Sequence, residues 1–173
     1  YVGTHGLAHH LETLLDAAEM LRRMPDGATF HFILLGDGAR KQALKEEAAR
    51  RGLGNVTFID SVPKEQVARY WSLLDVSVIH LRKTELFTTV IPSKLFECMG
   101  MGLPVLHGVA GESADIVRKE GVGIVFEPEN AGQLVEHLKF LQRDHATYAG
   151  YRAQCQVAAK NYDRTAMAMK MLG

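Results

Sequence analysis

The run Ile91-Pro92-Ser93-Lys94-Leu95-Phe96-Glu97 places a proline, a hydroxyl, an ammonium and a carboxylate within one and a half helical turns. Proline suits the first turn of a helix and serine is a good capping residue beside it. The first-turn N–H groups of such a helix, around Pro92, Ser93, Lys94 and Leu95, have no partner four residues back. They point out of the helix end, the geometry that receives a phosphate. Lys94 opposes the helix dipole there and gains from an anion close by. Glu97 follows one turn later, and a carboxylate can accept from both hydroxyls of a ribose at once. The same residues also read as a plain capped helix whose glutamate pairs with a neighbour.

Three further loops carry residues of the same character. Gly3-Thr4-His5-Gly6 lets the backbone approach an anion closely, with His9 and His10 near the start of the helix that follows. Leu35-Gly36-Asp37-Gly38, followed by Arg40 and Lys41, fits a phosphate or ribose site. It fits a tight turn before a solvated helix equally well. The segment around Asp60, Ser61 and Val62 can offer extended backbone to a planar base. His5 and His107 each end a strand and are candidates for lining a sugar pocket, although neither has an evident carboxylate partner.

Loops of this kind need a scaffold, and short β-branched runs alternate here with amphipathic stretches. Strands are expected at Tyr1–Gly3, Phe30–Leu35, Val56–Ile59, Val76–Ile79, Val105–His107 and Gly123–Phe126. Helices are expected at His9–Met24, Arg40–Arg51, Lys64–Leu74, Ser93–Met101, Ala114–Glu120, Ala131–Arg143, Ala146–Asn161 and Arg164–Leu172. Breakers such as Pro25-Asp26-Gly27 and Gly102-Leu103-Pro104 fall between them. The expectation is an α/β domain, a doubly wound Rossmann-like parallel sheet, with ligands at the carboxyl ends of its strands.

Composition narrows the function. Among 173 residues, 47% are apolar, and 20 basic residues balance 20 acidic ones. That balance lacks the basic excess of a nucleic-acid binder. Cys98 and Cys155 show no metal-ligand spacing and read as buried thiols of a reducing compartment. Tyr70 and Trp71 read as helix-to-core packing. No apolar run reaches the length of a membrane span.

Taken in order, these loops resemble the C-terminal domain of the group 1 (GT4-type) glycosyltransferases, along nearly the whole chain. Tyr1-Val2-Gly3, Leu34 to Gly38, Asn55 to Phe58, Asp75 to Val78, Pro92 to Glu97, Met101 to Val105, Gly111-Glu112 with Asp115 to Val117, and Gly121 to Pro128 carry the likeness. It implies that residues 1–173 are one half of a GT-B fold whose N-terminal acceptor domain is absent. It also implies retaining, metal-independent transfer from a nucleoside diphosphate sugar, without a cofactor. Glu97 matches the second glutamate of the family's E-x7-E pair and would hold the ribose. The backbone at Pro92, Ser93, Lys94 and Leu95 would receive the diphosphate, as would Gly3, Thr4, Gly6 and His9.

The chain departs from that pattern in places. Thr89 stands where the first glutamate falls, so the resemblance rests catalysis on Thr89, Lys94 and Glu97. Thr4 replaces the family's arginine and His9 its lysine, leaving Lys94 as the natural cation for the diphosphate. Gly3-Thr4-His5-Gly6, Ile91 to Glu97 and Gly111 to Ala114 together resemble a subgroup of bacterial surface-polysaccharide assembly, covering lipopolysaccharide O-antigen and capsule. That subgroup includes transferases of N-acetyl-L-fucosamine. The expected donor is therefore UDP-linked, the acceptor a glycan or lipid-linked glycan. The location would be the cytoplasm, at most peripheral to the inner face of the membrane. A UDP-sugar 2-epimerase on the same architecture, or a sugar-nucleotide-binding module without catalysis, are the alternatives.

Overall fold

The structure, a computed structural model, describes residues 1–163. The expected helix at Arg164–Leu172 lies outside the described residues. Among the described residues, five short parallel strands form two sheets. Strand β1 (Phe32–Leu35) pairs with β2 (Val56–Ile59), and β3 (Ser77–His80) with β4 (Val105–Gly108), which pairs in turn with β5 (Gly123–Val125). The opening segment is a single bridge, Val2 to Leu35, on the edge of β1 away from β2. Leu35 donates to Tyr1 O at 2.9 Å and accepts from Gly3 N–H at 2.8 Å.

Strands β3 and β4 are buried along their whole length, as in parallel sheets flanked by helices, whereas Thr57 of the edge strand β2 is exposed. Adjacent residues point to opposite sides. Leu34, Val78 and Leu106 join one buried cluster with Leu14, Leu15 and Leu21, Leu44, and Leu134 and Leu141. Those side chains come from helices α1 (Glu12–Arg22), α2 (Lys41–Arg50) and α6 (Ala131–Arg143). Leu35, Ile79 and Val105 face a second cluster with Trp71, Leu95, Cys98, Met99, Val117 and Cys155. These belong to α3 (Lys64–Trp71), α4 (Lys94–Gly100), α5 (Glu112–Glu120) and α7 (His145–Ala159). The helices thus change face between α2 and α3, the mark of a doubly wound sheet. Both cysteines are buried and free.

The chain direction makes the loop after the opening segment and the loop after β3 the pair on either side of that change, where such folds bind ligands. Boundaries differ from the sequence expectation mostly by one to three residues. The larger difference is at the first helix. Leu7–His9 form a 3-10 turn, His10 is left-handed at φ 42°, and α1 begins only at Glu12. His9 therefore sits ahead of the helix, held by its own N–H donating to Gly6 O at 3.1 Å.

Candidate functional site

Glycine dictates how the carboxyl-end loops meet. Gly3 and Gly36 cross with their backbones in contact, and a Cβ on Gly36 would lie 1.8 Å from Gly3 O. The other side of Gly3 is covered by Lys94: a Cβ on Gly3 would come within 2.5 Å of Lys94 Cε and 2.8 Å of Nζ. The ammonium at the start of α4 thus lies across the first glycine turn. No described carboxylate pairs with it.

Backbone donors collect around this crossing. Among the described residues none accepts from the N–H groups of Thr4, Gly6, Ser93 or Lys94. Leu95 is the first amide of α4 to find a partner, donating to Pro92 O at 3.1 Å. Ser93 does not cap the helix with its side chain and takes helical angles itself. With seven residues, α4 is about two turns long. Positive potential here accordingly comes from Lys94 and free amides more than from an aligned dipole. His9 stands beside Lys94, and burial together with that cation lowers its pKa, so it is a neutral donor or acceptor rather than a second positive charge. Its Nδ1 is buried without a partner.

Glu97 is exposed, one turn into α4, and its carboxylate makes no ion pair or hydrogen bond within the described residues. Thr89 is exposed in the same β3–α4 loop, next to Thr88, whose carbonyl accepts from Glu112 N–H at 2.8 Å and fixes the loop to α5. The Asp60–Val62 segment lies between β2 and α3, outside any helix or strand, and its backbone N–H groups are unpaired among the described residues.

The G-D-G loop is used differently. Lys41 Nζ turns inward and donates to Gly36 O (2.8 Å), Ile59 O (3.4 Å) and Asp60 Oδ1 (2.6 Å). Arg40 pairs with Glu12 at 2.6 Å. Gly38 N–H is taken by Asp37 Oδ1 at 2.7 Å, and Asp37 O by His5 N–H at 2.8 Å. Lys41 and the Asp37 contacts tie β1, β2 and the glycine turn together, so the donors of Lys41 and Gly38 are used within the protein, while Arg40 gives one bond to α1 and stays partly exposed. His5 is fully buried under that knot with both ring nitrogens unpartnered, and burial pushes its pKa down to about 4. His107 is also fully buried. Its Nε2 meets Ser113 Oγ at 2.8 Å, and burial lowers its pKa to about 4. Neither ring opens onto the surface beside Lys94.

Sequence reasoning missed His80 at the end of β3. Its Nδ1 is 2.7 Å from His9 O and its Nε2 accepts the N–H of Glu129 at 2.8 Å. It also missed Arg82, which donates its N–H to Ala8 O and its Nε–H to Leu7 O, both at 2.8 Å. Residue type and spacing gave no signal for either, because their partners are main-chain atoms 49 to 75 residues away in the chain.

Comparison with known proteins follows the same outline. Among solved structures, HepE of Anabaena in complex with UDP superposes with a TM-score of 0.82 at 18% identity, over 99% of this chain and 46% of that one. TarM of S. aureus, in a complex containing UDP, gives 0.79 at 14%, over 98% of this chain and 34% of that one. The C-terminal domain of LpcC, a glycosyl transferase group 1 family protein of Francisella tularensis, gives 0.72 at 19%, over 93% and 84%. This chain thus spans less than half the length of the first two and most of the isolated domain. No curated protein sequence matches it. Among the described residues no helix is long and apolar enough to cross a membrane, and no group of three or more His, Cys, Asp or Glu is placed to hold a metal ion. The α/β architecture is that of one half of a GT-B fold. A family model described as "Glycosyl transferases group 1" matches residues 1–144, and the chain belongs to that family.

Proposed function

We propose that this chain captures the diphosphate of a nucleoside diphosphate sugar at the crossing of the Gly3 turn and Lys94, and that it is the donor-binding half of a longer glycosyltransferase. The observation that carries this reading is the unpaired Lys94 ammonium lying across Gly3, with free amides on both sides of it. Fixed donors aimed at a leaving diphosphate stabilise the charge that develops there, commonly the largest part of such catalysis. Glu97 is assigned to the ribose hydroxyls, the Asp60–Val62 backbone to the base, and Thr89 to the neighbourhood of the sugar. UDP is the first choice of nucleotide, since the HepE structures are complexes with UDP and with UDP-glucose. Retaining transfer without a metal, onto a glycan or lipid-linked acceptor held by an N-terminal domain, completes the reading. The process is bacterial surface-polysaccharide assembly, and a deoxy amino sugar is the finer choice of donor.

Calorimetry of the 173-residue chain with UDP, UMP and uridine in the presence of a chelator tests it. UDP is expected to bind more tightly than UMP, and Lys94→Ala to weaken UDP by roughly 1.5–3 kcal/mol, the contribution of a charged hydrogen bond. Glu97→Ala is expected to weaken all three ligands alike, because each retains the ribose. Equal affinity of wild type and Lys94→Ala for UDP removes the proposed diphosphate site.

A further inference from the structure

Two non-glycine residues among those described have left-handed backbone, His10 at φ 42° and Glu129 at φ 67°. Such conformations persist where neighbouring structure fixes them. One imidazole lies between them. His80 is bonded through Nδ1 to the carbonyl of His9, the peptide leading into His10, and through Nε2 to the N–H of Glu129 itself. A carbonyl only accepts and an amide only donates, so Nδ1 carries the proton and Nε2 does not. The two partners select one neutral tautomer. The ring also stacks on Phe126, with centroids 5.9 Å apart and planes 11° from parallel. Gly108 leaves the room, since a Cβ there would come 2.4 Å from Phe126 Cζ and 2.6 Å from His80 Cδ2.

We propose that His80 is a positioning residue of the donor site: its neutral form holds the His9–His10 end of the first turn in place beside Lys94, and its protonation releases that end. The proposal rests on the donor reading above. Its physical basis is that a proton gained on Nε2 would face the Glu129 N–H, donor against donor. The ring must then rotate or Glu129 must leave, and rotation breaks the bond to His9 O. Loss of that bond loosens the His9–His10 end of the turn and with it the His9 ring, the part that the Arg82 bonds to Leu7 O and Ala8 O do not hold. His9 and His10 face the ring from the turn, Glu129 from the loop after β5, and His107 from β4. The Lys83–Glu127 ion pair closes the same loop nearby. His10 Nδ1 lies 3.9 Å from Glu129 Oε1, a direct contact between the turn and this loop.

Two variants divide the two bonds of the ring. His80→Asn keeps a donor near the Nδ1 position, and His80→Gln keeps an acceptor near Nε2. Long-range proton–nitrogen NMR of the histidine-labelled 173-residue chain is expected to show His80 as the Nδ1–H tautomer at neutral pH. Without nucleotide, amide exchange of His9 and Arg82 is expected to quicken in His80→Gln and to stay near wild type in His80→Asn. UDP affinity is expected to fall about threefold to tenfold in His80→Gln, one neutral hydrogen bond, and by less than about threefold in His80→Asn. Its decline with acid should be unchanged in His10→Gln and shallower in His80→Asn. An Nε2–H tautomer, equal effects of the two His80 variants, or an acid decline lost in His10→Gln would overturn the latch. Failure of the unaltered chain to bind UDP overturns the donor reading and with it this role, while the tautomer and exchange measurements still judge the latch itself.

Discussion

His5 and His107 are fully buried, and burial holds the pKa of each near 4 against an ordinary value of 6.5. The folded state therefore refuses protons that the unfolded chain accepts. Their contribution to stability is complete above pH 6.5 and is lost as pH falls toward about 4, on the order of 3 kcal/mol for each ring. His5→Leu is expected to make denaturant stability markedly less sensitive to pH across that window, measured by urea unfolding at several pH values. An unaltered pH slope in His5→Leu would mean that the ring is hydrated in solution. Residue chemistry alone pointed to both histidines as pocket candidates. What it lacked was their depth, which depends on the G-D-G loop closing over His5 and on α5 closing over His107.

At the scale of elements, two helix starts are set by local chemistry that a sequence displays openly. Asn130 accepts from Gln133 N–H at 3.0 Å and Asp144 from Thr147 N–H at 2.9 Å, giving α6 and α7 their beginnings. Asn130→Ala is expected to destabilise the fold by about 1 kcal/mol, measured by chemical denaturation, with UDP affinity unchanged. The alternation of strands and helices was legible for the same reason, since apolar periodicity reports which side of an element is covered. The start of α1 was not. Continuous amphipathic character from His9 onward suggests one helix, but the left-handed backbone at His10 is imposed by contacts with β3 and the loop after β5. The site divides in the same way. Lys94 and Glu97, the proposed diphosphate and ribose groups, stand out by type and spacing, whereas Lys41 has the chemistry of Lys94 and turns inward to carbonyls, and Arg40 lies partly exposed against Glu12. Only the packing distinguishes an ammonium offered outward from one consumed within.

At the scale of the molecule, the ligand-side loops hang together at the Gly3–Gly36 crossing, where the opening segment meets the end of β1. A methyl group on Gly36 has no space to enter, with Gly3 O 1.8 Å from its position. Gly36→Ala is expected to cost roughly 1–3 kcal/mol of stability, the range for overpacking, and to weaken UDP binding as well. Urea unfolding and calorimetry on the same variant check both halves of that expectation. A loss of stability with intact affinity would place the nucleotide away from this crossing.

Lys41 stitches the carbonyl ends of two strands with one ammonium, and its side chain is only 9% exposed. It follows that the residue is a chemical gauge of opening. An amine-directed acylating reagent modifies the surface lysines of the intact protein at once but reaches Lys41 when β1 and β2 part. The rate at which that single position is labelled then clocks how often this edge of the molecule breathes, without any engineered probe.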